Sequence, residues 1–279
     1  MKTKSTNPMP LKISAYIIAF NELEKITAAI NSVKWADEII VADSGSTDGM
    51  IEEAEELGAK VIQVPFEGFG KLRNSAIDKC TGDWVFSLDA DERCTEAVRD
   101  EILSITQSPD SLDIYKVPRR NFFMGRWIKH SGWYPNFRQP QLFRNGSMSY
   151  TLEPVHEGFI SHSPKPIGVL KNAIWQVPFT NLEQIIHKAN RYSTLGVEKL
   201  KEREIKPSMP KALYKGAWSF IKHYIFKLGF LDGWPGFIIA FGNFEGTFYK
   251  YAKLHASTVR WHPIEEGSLR EKEISRVEN

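Results

Sequence analysis

The sequence predicts an α/β fold built on a mostly parallel sheet, and three observations predict it. Short β-branched and apolar runs recur through the first third of the chain. Stretches with apolar residues at helical spacing fill the intervals between them. Polar, acid-rich turns follow three of these runs, each where the chain leaves the strand. Strands alternating with helices mean βαβ units and a parallel sheet.

Each element can be justified in turn. Ile13–Ala19 is the first run, closed by the polar turn Phe20-Asn21-Glu22, and Ile26, Ala29, Ile30 and Val33 then recur at helical spacing. Glu38–Ala42 is the second strand, ended by the turn cluster Asp43-Ser44-Gly45-Ser46-Thr47-Asp48-Gly49. A helix through Met50–Leu57 is expected to stop at Gly58, which supplies the backbone freedom a helix end needs. Lys60–Val64 reads as a third strand, Lys71–Lys79 as a helix, Trp84–Leu88 as a fourth strand and Glu92–Ile105 as a helix. In such sheets ligands bind beyond the carboxyl ends of the strands. The residues to examine are therefore Phe20, Asn21 and Glu22, then Asp43, then Asp89 and Asp91.

Composition narrows the class. With 279 residues, 42% hydrophobic and 25% charged, the chain can bury a sizeable core. A disordered chain, a fibrous repeat and a disulfide-stapled miniature are excluded. Cys80 and Cys94 match neither a secreted framework nor a zinc spacing, which points to a reducing compartment. The apolar runs Ile13–Phe20 and Gly236–Phe241 fall short of the roughly 20 residues a bilayer span needs. Residues 1–10 carry Lys2 and Lys4 without an apolar stretch and do not read as a signal peptide. The chain is expected to be soluble or peripheral.

Charge is unevenly distributed. Residues 1–110 hold eleven basic and twenty acidic groups, whereas residues 111–180 carry +6 and residues 181–279 carry +5. An acidic first third suits a cation or polar ligand, and a basic remainder suits anionic partners. Solvated helix faces account for the same numbers about equally well.

A lone Asp after a strand is more often a helix cap than a ligand, but acids after three strands converge on one rim. An EF-hand at Asp43–Gly49 is excluded, because its twelfth position, which needs a bidentate Glu, is Ala54. Two carboxylates one residue apart suit Mg2+ or Mn2+, hard ions that complete their shell with water and phosphate oxygens. Asp89-Ala90-Asp91 thus implies a diphosphate ligand with a metal offsetting charge on its leaving oxygen.

The set Ala19-Phe20-Asn21-Glu22, Asp43-Ser44-Gly45-Ser46-Thr47-Asp48-Gly49, Lys71-Leu72-Arg73-Asn74 and Leu88-Asp89-Ala90-Asp91-Glu92-Arg93 resembles the family 2 glycosyltransferases of GT-A fold, over roughly residues 11–160. Gly132-Trp133-Tyr134-Pro135, Gln141-Leu142-Phe143-Arg144 and Val155-His156-Glu157-Gly158 resemble the lipopolysaccharide-core β-1,4-glucosyltransferase subgroup. The resemblance implies an inverting, non-processive transfer of a hexose from a UDP-sugar donor, UDP-glucose first. The implied acceptor is a lipid-linked saccharide, a lipopolysaccharide inner-core sugar, with capsule or peptide acceptors as alternatives. Phe20, Asn21, Glu22 and Asp43 would line the nucleotide pocket. Arg73 would approach the diphosphate or the sugar, Asp89 would contact ribose or metal-bound water, and Asp91 would ligate the metal. Asp48 is expected to organise its own turn. Glu157 is the candidate base that removes the acceptor proton, with Glu153 as its rival. His156 is a candidate metal ligand or diphosphate contact, and a structural histidine fits equally.

Two segments remain. Residues 121–144, with Arg119 and Arg120 just ahead of them, interleave Arg126, Trp127, Lys129, Trp133, Tyr134 and Arg138, as an acceptor-side lid or a subcore with snorkelling cations would. The Gln141–Arg144 motif lacks the following Trp of processive synthases. Residues 206–260 carry eight basic, two acidic and thirteen aromatic residues, with Leu213, Ala217, Phe220, Ile221 and Tyr224 at helical spacing. A peripheral helical appendage on the inner membrane face, over residues 181–279, is expected beside a catalytic domain over 1–180. A helical hairpin packed on that domain is the alternative. A nucleic-acid binder lacks its spacings, and a nucleotidyltransferase would show a glycine-rich loop where Phe20-Asn21-Glu22 stands. A non-catalytic sugar-nucleotide module would be expected to lose Asp91 or Glu157, and both are present.

Overall fold

The computed structural model describes residues 11–135, 139–152 and 158–259. The chain divides into two compact units, residues 1–180 and 181–279.

The first unit opens with the expected alternation. It runs β1 (Ile13–Ala19), α1 (Leu23–Ser32), β2 (Glu38–Asp43), α2 (Met50–Glu56), β3 (Lys60–Gln63), α3 (Phe69–Ile77) and β4 (Trp84–Asp89). Then follow β5 (Glu92–Arg93), α4 (Glu96–Gln107), β6 (Ile114–Lys116), β7 (Arg119–Phe123), β8 (Arg126–Trp127), β9 (Pro140–Arg144), β10 (Met148–Tyr150), β11 (Phe159–Ser161), β12 (Gly168–Val169) and β13 (Ile174–Gln176). The main sheet has the order β12-β6-β9-β4-β1-β2-β3, antiparallel only where β9 pairs with β4 and β6. A second sheet has the order β5-β13-β7-β8, and β10 pairs with β11.

Alternation along the strands sends side chains to opposite faces, and both faces are covered. Ala15 and Ile17 of β1 and Phe86 and Leu88 of β4 pack with Ile26 and Ile30 of α1, Met50 of α2 and Val98 and Ile102 of α4. Tyr16, Ile18 and Val85 face the other way, onto Leu72 and Ala76 of α3 and onto Tyr150. A strand buried on both faces reads as a continuous apolar run, which is why β1 is so legible in the sequence.

One expected element is corrected. Glu92 does not begin a helix. Glu92 and Arg93 pair antiparallel with Gln176 and Trp175, and α4 begins only after Thr95, whose side chain accepts from the Val98 amide.

The second unit comprises α5 (Leu182–Glu202), α6 (Met209–Ile221), a π-helical turn over Lys222–Phe226, a 3-10 turn over Gly229–Asp232 and α7 (Trp234–Ala256). Gly236 is required at the start of α7, since a Cβ there would lie 1.9 Å from the Gly229 carbonyl oxygen. Lys253 Nζ of α7 donates to Asn190 Oδ1 at 2.7 Å, Thr194 Oγ1 at 2.8 Å and Ser193 Oγ at 2.9 Å on α5. Among the described residues no helix is long and apolar enough to cross a membrane.

Candidate active site

Strand register assembles the site. In the order β4-β1-β2, Ile18 stands opposite Asp89 and Ala19 opposite Asp43. The carboxyl ends of three adjacent strands therefore finish at nearly one level, and their turns share one rim.

At the β1 and β2 ends the two turns are laced together. Asn21, with φ 51°, donates its amide to Ser46 Oγ at 2.8 Å, and its side-chain carbonyl accepts from the Thr47 amide at 2.9 Å. Asp48 accepts from the Leu23 amide at 2.9 Å and from the Met50 amide at 3.2 Å, holding the first turns of α1 and α2. It organises its turn, as expected. Asp43 is fully buried and accepts from the amides of Gly45 and Ser46 at 3.0 and 3.1 Å. Phe20 is 53% exposed on the rim. Glu22 pairs with the buried Lys25 at 2.8 Å.

The β4 end carries the charge. Asp89, Asp91 and Glu92 present carboxylate oxygens within 4.8 Å of one another, a spacing that can hold a metal ion. Their surroundings differ. Asp89 accepts from Arg73 Nη2 at 2.6 Å. Arg73, from the buried face of α3, also donates to Ser87 Oγ at 3.2 Å and lies 5.5 Å from the Tyr150 ring centroid. The Arg73 guanidinium thus stands under Asp89. The neighbouring Asn74 exchanges hydrogen bonds with the Tyr150 backbone at 2.8 and 2.9 Å, tying β10 to α3.

Glu92 is wholly buried and already engaged. It pairs with Arg119 at 2.7 Å, and it accepts from Gln141 Nε2 at 2.8 Å and from the Asp89 amide at 3.0 Å. Burial pushes its carboxyl up, against the pull of Arg119. Asp91 is half-buried. Both its oxygens accept from Gln176 Nε2, at 2.9 and 3.1 Å, and its carbonyl accepts from the Val177 amide at 2.8 Å. Burial, reinforced by the neighbouring Asp89 charge, pushes the Asp91 carboxyl up to about 6. The donor set therefore fits a hard divalent cation: two crowded carboxylates, one of them disfavoured as an anion until a cation is near. Glu92 serves the pair from beneath by holding the Asp89 backbone.

Gln176 is absent from the sequence reading, and Arg119 enters it only as one cation of the aromatic segment, not as a partner of Glu92. Gln176 reaches Asp91 from β13, 85 positions along the chain, and no local signal marks it. Gln141 was noted only as a motif cue. The motif splits, because Gln141 joins the site while Arg144 pairs with Asp113 at 3.1 Å at the far end of β4. Around Trp127 two cations stack on one ring, with Arg120 and Lys129 at 4.5 and 4.8 Å from its centroid. Trp127 in turn packs edge-on against Tyr134. Glu157, Glu153 and His156 lie outside the described residues, as does Arg138.

The model of the family described as glycosyl transferase family 2 matches residues 14–159, just over half the chain. The chain belongs to this family. It is a glycosyltransferase, and its helix-flanked, mostly parallel sheet is the GT-A architecture that the resemblance implied. An uncharacterized glycosyltransferase of Rickettsia bellii is 30% identical over 90% of this chain and 89% of its own length. The lipopolysaccharide core biosynthesis glycosyltransferase LpsC of Rhizobium meliloti is 30% identical over 88% of this chain and 92% of its own. Among solved structures, glucosyl-3-phosphoglycerate synthase from Mycobacterium tuberculosis, in complex with Mn2+, UDP and glucosyl-3-phosphoglycerate, is 27% identical. That match covers 39% of this chain and 44% of the synthase, with a TM-score of 0.36.

Proposed function

We propose that this glycosyltransferase moves a hexose, glucose from UDP-glucose first, onto a lipopolysaccharide inner-core sugar in a single inverting step. The observation that carries the reading is the shared rim of β1, β2 and β4, with Asp43 and Asp89 at the ends of the two strands that flank β1 and Asp91 beside Asp89. The likeness to LpsC along nearly the whole chain supports the acceptor class. The lipid-linked acceptor would bring the enzyme to the inner face of the cytoplasmic membrane.

Phe20, Asn21, Glu22 and Asp43 are proposed to receive the nucleotide, which would meet a rim already braced by the Asn21 and Asp48 bonds. Asp91 is the proposed ligand for Mg2+ or Mn2+, with Asp89 at its side and Arg73 fixing Asp89. A divalent ion held there would offset the charge that builds on the leaving diphosphate. The acceptor hydroxyl attacks the anomeric carbon while the bond to the diphosphate oxygen breaks on the opposite side. Glu157 is proposed to take the hydroxyl proton as the new glycosidic bond forms, with Glu153 the alternative base and His156 a candidate second ligand.

The test is a product assay with UDP-glucose and purified deep-rough core acceptor, read by NMR. The expected result is one added hexose with inverted anomeric configuration and no activity in Glu157→Gln. Retained configuration would overturn the mechanism, and a Glu157→Gln enzyme as fast as wild type would take the base role from Glu157 and leave it to Glu153. UDP-galactose and UDP-N-acetylglucosamine in parallel reactions decide the donor.

A further inference from the structure

The second unit carries an exposed apolar face edged by lysines. In α6 successive residues advance by about 100°. Leu213, Ala217, Ile221, Tyr214 and Trp218 therefore fall, in that order, within an arc of about 140°. Lys211, Lys222 and Lys215 come next around the helix. The hairpin's internal packing uses a different face, where Ala212 and Gly216 are buried and a Cβ on Gly216 would meet Phe244 and Phe248 of α7 at 3.1 Å.

Four of the five side chains of the arc, all but Ala217, are exposed. Tyr214 is 64% exposed and Phe226, whose ring lies 5.8 Å from Trp218, is 67% exposed. Trp234, at the start of α7, is 74% exposed. Residues 205–244 contain five lysines and one acid, Asp232, which is buried. The exposed surface of this stretch is therefore apolar, aromatic and cationic, without an exposed carboxylate.

We propose that this face docks the enzyme in the interface of an anionic bilayer, with α6 lying along the surface. The chemistry matches on each count. Apolar and aromatic side chains enter the headgroup–acyl boundary, Trp and Tyr favour that depth, and lysines beside the arc reach lipid phosphates. A second copy laid on this face by its own like face would set lysines against lysines with no exposed acid of the stretch to pair them. The proposal deepens the membrane location given above, and it rests on that reading only for which membrane is met.

The experiment is co-sedimentation of the full chain with vesicles of phosphatidylcholine alone and of phosphatidylcholine mixed with phosphatidylglycerol. UDP-glucose binding is measured on the same samples. Wild type is expected to pellet with the anionic vesicles and to be released by salt. Lys211→Gln/Lys215→Gln/Lys222→Gln should weaken partitioning by about fivefold per lysine. Trp218→Ser/Phe226→Ser should weaken it at least as much, and both variants should bind UDP-glucose as wild type does. Wild type that stays in the supernatant, or variants that pellet undiminished, would overturn the docking face. So would a dimer seen by sedimentation velocity that Trp218→Ser/Phe226→Ser turns into monomer, since a second copy would then own the surface. A chain that binds UDP-glucose but no vesicles loses only this proposal. A chain that binds vesicles but no nucleotide sugar loses only the transferase donor.

Discussion

Asp91 and Glu92 are neighbours in sequence, yet their side chains do different work. Glu92 is locked between Arg119, Gln141 and the Asp89 amide, so it shapes the loop. Among the described residues, Gln176 donates to the Asp91 carboxylate at the rim. Removing the cation from a buried pair leaves an uncompensated charge. Arg119→Leu should therefore destabilise the first unit by about 3–5 kcal/mol, measured by urea unfolding, and Glu92→Gln should cost less. Gln176→Ala should leave the fold intact but weaken Mn2+ binding about 10–100-fold, as loss of an outer partner does. Titration of Mn2+ by electron paramagnetic resonance checks it, and unchanged affinity would remove Gln176 from the site. Burial also pushes the Cys80 and Cys94 thiols up to about 12. At pH 8 both should be thiols, not thiolates, and react with a disulfide reagent only as the chain unfolds. Prompt reaction of either would contradict their burial.

At the scale of elements, what the sequence announces is what local pattern encodes. The buried strands β1, β2 and β4 stand out as apolar runs, and Asp43 and Asp89 were legible because they close such runs. The two- and three-residue strands of the second sheet carry no periodicity, so Glu92–Arg93 reads as a helix start until its partner, β13, is seen 80 or so positions later. Gln176 was invisible for the same reason, since its meaning comes from pairing at long range. In the second unit, helical spacing foretold α6, whereas the bond set that joins α5 to α7 converges on one side chain. Lys253→Met should lower the stability of that unit by about 1.5–3 kcal/mol, the worth of charge-assisted bonds, read as an earlier helical melt by circular dichroism.

Over the whole molecule, charge and chemistry run together. The acidic first third holds the rim where a metal would offset negative charge, and the basic remainder carries the lysine-edged face. Neither feature is visible in the net charge of +2. The most direct test of the metal-dependent donor site is isothermal titration of UDP-glucose into wild type and Asp91→Asn, each with Mn2+ and with EDTA. Binding is expected to require Mn2+ and to fall at least about a hundredfold, roughly 2.7 kcal/mol, in the variant, whose melting temperature stays at or above that of wild type. UDP-glucose binding equally well in EDTA, or undiminished in Asp91→Asn, would contradict the metal-dependent donor site.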